Sequence, residues 1–153
     1  MGRKLTGVTA VVAAAATLAT VAAAGPTATR QRVGIQVTGS SFVLTPLTPG
    51  AIKPDAGTAA FCCWTRRTTI RDGESIEINN PRMTLTGKQG TLVAQNVIGF
   101  VDLPKGWAVF TGTWKVIRGS GAYAGLAGGG RGAGVSPANG DNTAQFEGYL
   151  APR

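Results

Sequence analysis

Six of the ten residues in positions 125–134 are glycine, and no other segment restricts the fold so strongly. Each glycine costs a helix roughly 1 kcal/mol relative to alanine, so no stable helix forms there. The run follows Trp114-Lys115-Val116-Ile117-Arg118 and is introduced by Gly119-Ser120-Gly121-Ala122-Tyr123-Ala124. These last six residues match the G-x-G-x-x-A form of a dinucleotide fingerprint, and Asp141 lies 20 residues past Gly121. That fingerprint works only when a helix begins at the glycines and aims its N-terminal N–H groups at a pyrophosphate. Without the helix there is no such site, and no nucleotide cofactor is expected. The glycines are expected to serve the backbone, in left-handed turns, bulges and close strand approach at a barrel corner.

The rest of the chain reads as strand and turn. Val33, Ile35 and Val37 alternate with polar or glycine positions, the period of a half-buried strand, and Phe42-Val43-Leu44 extends the pattern. Pro46, Pro49-Gly50 and Pro54 mark a loop. Residues 58–71 are β-branched and aromatic and run into Asp72-Gly73, a two-residue hairpin signal, with Glu74-Ser75-Ile76-Glu77-Ile78 returning. Met83 and Leu85 belong to a further strand, followed by strands over 91–103 and 107–118 around a Pro104-Lys105-Gly106 turn. A last strand covers 142–150. No window holds apolar residues at helical spacing for three turns. Seven or eight strands with this punctuation imply an all-β barrel or sandwich.

Residues 1–24 read as a cleaved signal peptide. Met1-Gly2-Arg3-Lys4 is a cationic head, and an uncharged Ala/Val/Thr stretch follows, ending in Ala22-Ala23-Ala24. As a membrane anchor the stretch would be long enough but only weakly apolar. The expected product is a soluble, secreted, extracellular protein with no membrane association after cleavage. Its parts would be a flexible segment at 25–31 and one domain at 32–153. The full chain has 15 Lys and Arg against 7 Asp and Glu, or +8; without Arg3 and Lys4 the count is 13 against 7, or +6. Such a charge can favour anionic partners, but the basic residues are scattered and only Arg66, Arg67 and Arg71 cluster locally, so the simpler expectation is that the charge serves ordinary solubility. The absence of His removes His-based acid–base chemistry and His-ligated zinc, and two Cys cannot build a Cys₄ metal site. No metal and no organic cofactor are expected.

The segment from Gly112-Thr113-Trp114 through Gly119-Ser120-Gly121-Ala122-Tyr123-Ala124-Gly125-Leu126 to Gly130 carries a family resemblance. It resembles the G-x-W-x-V-x-x-G-[ST]-G-x-Y-x-G-L-x-G-x-G signature of secreted bacterial proteins with an allene-oxide-cyclase-like or dirigent-like barrel. Phe146-Glu147-Gly148-Tyr149-Leu150 is similar to that family's closing strand, and weaker similarity extends over 42–49 and 86–92. The resemblance implies a single eight-stranded antiparallel barrel with an apolar cavity. In plant relatives the cavity shapes a reactive intermediate during cyclisation or coupling, and the barrels associate through their walls, so a homo-oligomer is an open expectation. No motif bearing a catalytic residue of the plant enzymes matches this chain.

A barrel cyclase needs one carboxylate or hydroxyl to steer charge or a proton. Glu147 lies on the face opposite Phe146 and Leu150; if that face lines the cavity, Glu147 and Tyr149 are the catalytic candidates, and otherwise Glu147 is an exposed strand residue. Trp64, Phe110, Trp114 and Tyr123 are the cavity-lining candidates, and the same rings would fill a narrow barrel solid. Tyr123 also suits a corner role, its hydroxyl bonded to backbone. Cys62-Cys63 is a redox candidate as a vicinal disulfide; the simpler expectation is two thiols on opposite faces of a strand. Two functions remain. One is a binding barrel for an apolar small molecule, as a cofactor-free cyclase or isomerase if it is an enzyme. The other is a non-enzymatic extracellular or cell-envelope protein whose basic surface binds an anionic polymer.

Overall fold

The computed structural model describes residues 29–138 and 140–153; the segment read as a signal peptide lies outside them. Ten strands follow in chain order: β1 (Gln31–Thr38), β2 (Ser41–Pro46), β3 (Asp55–Cys62), β4 (Arg66–Arg71), β5 (Glu74–Asn79), β6 (Arg82–Gly87), β7 (Gly90–Leu103), β8 (Trp107–Gly119), β9 (Leu126–Ser136) and β10 (Thr143–Pro152). Eight of them close an antiparallel barrel in the order β7-β6-β3-β2-β1-β10-β9-β8, with β8 returning to β7. The remaining two, β4 and β5, form a hairpin that attaches where Glu77, Ile78 and Asn79 pair with Phe100, Gly99 and Ile98. Its turn is Asp72-Gly73, both left-handed (φ 54° and 83°), as a type I′ turn requires. The run expected over 58–71 is broken at residues 63–65, so β3 and β4 are separate strands.

Alternation decides what faces inward. Val33, Ile35 and Val37 on β1 meet Phe42 and Leu44 on β2, Met83 and Leu85 on β6, and Leu92 and Ala94 on β7 in one core. Leu44, Met83, Ala94 and Leu150 are fully buried within it. Eight strands enclose a space that side chains can fill, and Trp114, Tyr123 and Phe146 join the aliphatic side chains in this cluster.

The glycine-rich segment is a full strand rather than a string of turns. On β9, Gly128, Gly130, Gly132 and Gly134 pair with the inward positions Leu150, Gly148, Phe146 and Ala144 of β10. On its other side Gly130 and Gly134 pair with Trp114 and Phe110 of β8. Rings from both neighbours occupy the space these glycines leave. A Cβ at Gly132 would strike the Phe146 ring, one at Gly134 the Phe110 ring, and one at Gly148 would come to 2.7 Å of the Trp114 indole. At Gly130 it would meet the Glu147 carbonyl itself. Strand pairing and ring packing together hold a sequence whose own β propensity is low.

Gly130→Ala is therefore expected to destabilise the protein by about 1–3 kcal/mol through overpacking against backbone. Gly99→Ala, whose nearest neighbour would be Ile76 Cγ2 at 3.5 Å, should be neutral or mildly stabilising. Urea unfolding of the two variants checks the contrast.

Candidate functional site

Tyr123 sits at one end of the barrel, in the 3-10 turn Gly121–Tyr123. The turn docks on the β6–β7 connection: Ser120 N–H donates to the Thr91 carbonyl and Ala122 N–H to that of Gln89, both at 2.8 Å. Gly121 is left-handed (φ 59°), and a Cβ there would meet the Gln89 carbonyl. From this turn the Tyr123 ring enters the core, fully buried. Its hydroxyl donates to Asp55 Oδ2 at 2.8 Å, a carboxylate rather than the backbone partner expected of a corner tyrosine. Asp55 also accepts the N–H groups of Ala56 (2.9 Å) and Lys88 (3.0 Å), with Gln89 at 3.4 Å. A buried carboxylate is tolerated only when so supplied with donors. Beside it Gln31 binds the β2–β3 loop, donating to the Thr48 and Ile52 carbonyls and accepting Ile52 N–H. Together these residues cap one end of the barrel.

The other candidates for a cavity lining separate. Trp114 is buried, its Nε1 donating to the Glu147 carbonyl at 3.3 Å. Phe110 is half-buried, paired with Phe100 at 5.1 Å between ring centroids. Trp64 is outside, 51% exposed on the β3–β4 connection, near Phe61. No common pocket unites the four.

Glu147 and Tyr149 do not form a buried acid and its partner. Phe146, Gly148 and Leu150 take the inside of β10, which turns both residues to the outer wall. Both oxygens of Glu147 accept from Arg32 Nη2, at 3.0 and 2.9 Å. These hydrogen bonds, then the charge of Glu147, raise the Arg32 pKa above its ordinary value. The Arg30 guanidinium lies 4.0 Å from the centroid of the Tyr149 ring, a cation–π geometry.

Cys62 and Cys63 are joined as a vicinal disulfide, and neither is a free thiol. The expectation of thiols on opposite faces assumed that both lie in one strand. β3 ends at Cys62, and Cys63 turns left-handed (φ 61°).

What the sequence disperses, the barrel collects. Strands β8, β9, β10 and β1 are consecutive neighbours. They carry Lys115, Arg118, Arg131 and Arg32 against Glu147 alone, and Arg30 and Arg153 flank them. Lys115, Gly129, Tyr149 and Arg32 form one outward row, and Arg131 and Glu147 stand in the next. The arginine cluster that is local in sequence behaves differently. Arg66 pairs with Glu77 at 3.2 Å and Arg71 approaches Asp72 at 3.9 Å, so the β4–β5 hairpin is close to neutral.

Three grooves lie on the outer wall. One of about 480 Å³ runs between Lys115, Arg30 and Tyr149, with Gly129 in its lining. A second, about 590 Å³, is bordered by Arg131, Glu147, Gln145, Gln36 and Leu47, with Gly34 between them. A third, about 630 Å³, lies among Val101, Val109 and Val135. Among the described residues no three His, Cys, Asp or Glu side chains converge to hold a metal ion, and no helix is long and apolar enough to cross a membrane. No known protein family, curated protein or solved structure matches the chain.

Burial first, and the Asp55 hydrogen bond second, raise the Tyr123 pKa above its ordinary 10.0. Its neutral form is thus favoured by folding. The stability it contributes is complete below about pH 10 and is lost as pH rises from there through the folded-state value. Denaturant midpoints measured across alkaline pH should fall above about pH 10 in the native chain and less in Tyr123→Phe. At neutral pH that variant should cost about 1–3 kcal/mol, because Asp55 loses a donor in a buried setting.

Proposed function

We propose that the protein is a non-catalytic binding module of the extracellular space or cell envelope that holds an anionic polymer against its β8–β9–β10–β1 wall. The observation that carries this reading is the one-sided charge of that wall. Four cations stand on these four adjacent strands against one carboxylate, Glu147; Arg30 and Arg153 add two more beside them, and Asp141 precedes β10. Each exposed cation attracts a single anion weakly in water. A polymer with repeated negative charge meets several at once, and the summed field guides its approach.

Two further features support the reading. The barrel interior is occupied by Trp114, Tyr123 and Phe146 with their aliphatic neighbours, which weighs against an internal ligand and thus against a cyclase or isomerase. The Ala-rich leader read in residues 1–24 and the net positive charge suit a setting of wall or envelope polymers. A common ancestry with allene-oxide-cyclase-like or dirigent-like barrels is also proposed. The eight-strand closure and the position of the glycine–tyrosine motif at a barrel end support it.

Inorganic polyphosphate is a suitable probe. Lys115→Gln combined with Arg131→Gln is expected to weaken its binding about tenfold at low salt. Lys105→Gln, in the turn Pro104–Gly106 at the opposite end of the barrel, should leave it unchanged. Raising ionic strength from about 0.05 to 0.5 M should also weaken binding steeply. Calorimetric titration that shows no binding, or binding indifferent to both salt and the double variant, would sink the reading.

A further inference from the structure

We infer that the polymer is amphiphilic: an anionic chain bearing an acyl anchor, its charge at one end of a furrow along β9 and its apolar part at the other. This rests on the basic-wall reading and assigns its ligand class. The furrow follows from β9 itself. Its outward residues include Ala127, Gly129 and Ala133, small positions between the larger side chains of β8 and β10. The three grooves succeed one another along it. Gly129 and Tyr149 of the first stand two residues along β9 and β10 from Arg131 and Glu147 of the second, and the second and third share Thr111, Ala133 and Gln145.

The chemistry of the furrow changes along its length. Lys115, Arg30 and Arg131 dominate the first part, and hydroxyl and amide groups of Thr111, Gln145 and Gln36 the middle. At the far end Val101 pairs with Val109, and Val109 with Val135. These valines are 36–37% exposed. Gly129 and Val135 are six residues apart on the strand, about 20 Å, enough for an extended acyl segment. A wholly ionic polymer leaves the valines of the third groove uncovered. A neutral lipid leaves the cations unused. A second copy laid on this face would bring its own Lys115, Arg131 and Arg32 toward the same charges. An anionic head with an apolar tail complements both ends together.

The test compares butyl phosphate, dodecyl phosphate and dodecyltrimethylammonium, each as monomers, binding to the full chain in parallel with polyphosphate. Dodecyl phosphate is expected to bind about tenfold or more tighter than butyl phosphate, since apolar burial scales with chain length. Val109→Thr with Val135→Thr keeps β-branched residues in both strands; it should erase that gain and leave polyphosphate binding unchanged. Equal affinity for the two phosphates, equal affinity for the cationic surfactant, or a gain that survives the double variant would overturn the inference while the basic wall stands. Binding to phosphatidylglycerol vesicles but not to monomeric dodecyl phosphate would overturn it in favour of a membrane surface. Failure of polyphosphate itself to bind removes the basic-wall reading, and this inference with it.

Discussion

Aromatic rings from β8 and β10 lie over the backbone of β9, and the architecture depends on the absence of side chains beneath them. Trp114 reaches past Gly130 to Gly148, Phe146 covers Gly132, and Phe110 covers Gly134. A methyl group at these positions would collide with a ring or a carbonyl, so the rings would have to move and the barrel would widen. Packed interiors absorb such changes poorly. The same strand shapes the exterior, because its outward positions are also mostly small. The composition of one strand thus explains both the close ring packing inside and the small outward positions of the wall.

The two ends of the barrel are built on different principles. One is closed by polar side chains whose bonding needs are met by the loops they bind: Tyr123 and three N–H groups on Asp55, and three backbone groups on Gln31. Gly87 leaves room for the Asp55 carboxylate. At the other end β7 and β8 stay paired as far as Leu103 and Trp107, and the β4–β5 hairpin attaches to β7. Asn79 donates to Glu77 Oε1 at 2.7 Å in that region, while Asn79 and Asn96 each keep a buried amide oxygen with no protein partner.

Much of the fold is legible in the sequence where local pattern and tertiary role agree. Alternation at Val33, Ile35 and Val37 marks β1, and Asp72-Gly73 marks the β4–β5 hairpin. β9 is not legible as a strand, because glycine signals flexibility and the stabilising rings belong to strands distant in sequence. Tyr123 and Asp55 are 68 residues apart, with nothing local to join them. The two faces of β10 are evident from Phe146 and Leu150, yet their assignment to inside and outside awaited the register with β1 and β9. The cations are a related case. Arg32, Lys115 and Arg131 look scattered until strand order makes them neighbours, whereas Arg66 and Arg71, only five residues apart, are offset by carboxylates.

A closed wall exposes no unpaired strand, but the hairpin reintroduces one. β4 pairs with β5 alone, and all six of its residues are exposed. Its free edge is the place where another extended chain would add, and Ile70, at 77% exposure, would reward that addition. Arg66, Arg67 and Arg71 oppose it. A second copy in antiparallel alignment would set guanidinium groups against guanidinium groups, which penalises the pairing. In crowded solution, then, these three arginines act as a guard against strand-by-strand aggregation, and their salt bridges limit how much net charge that protection adds to the hairpin.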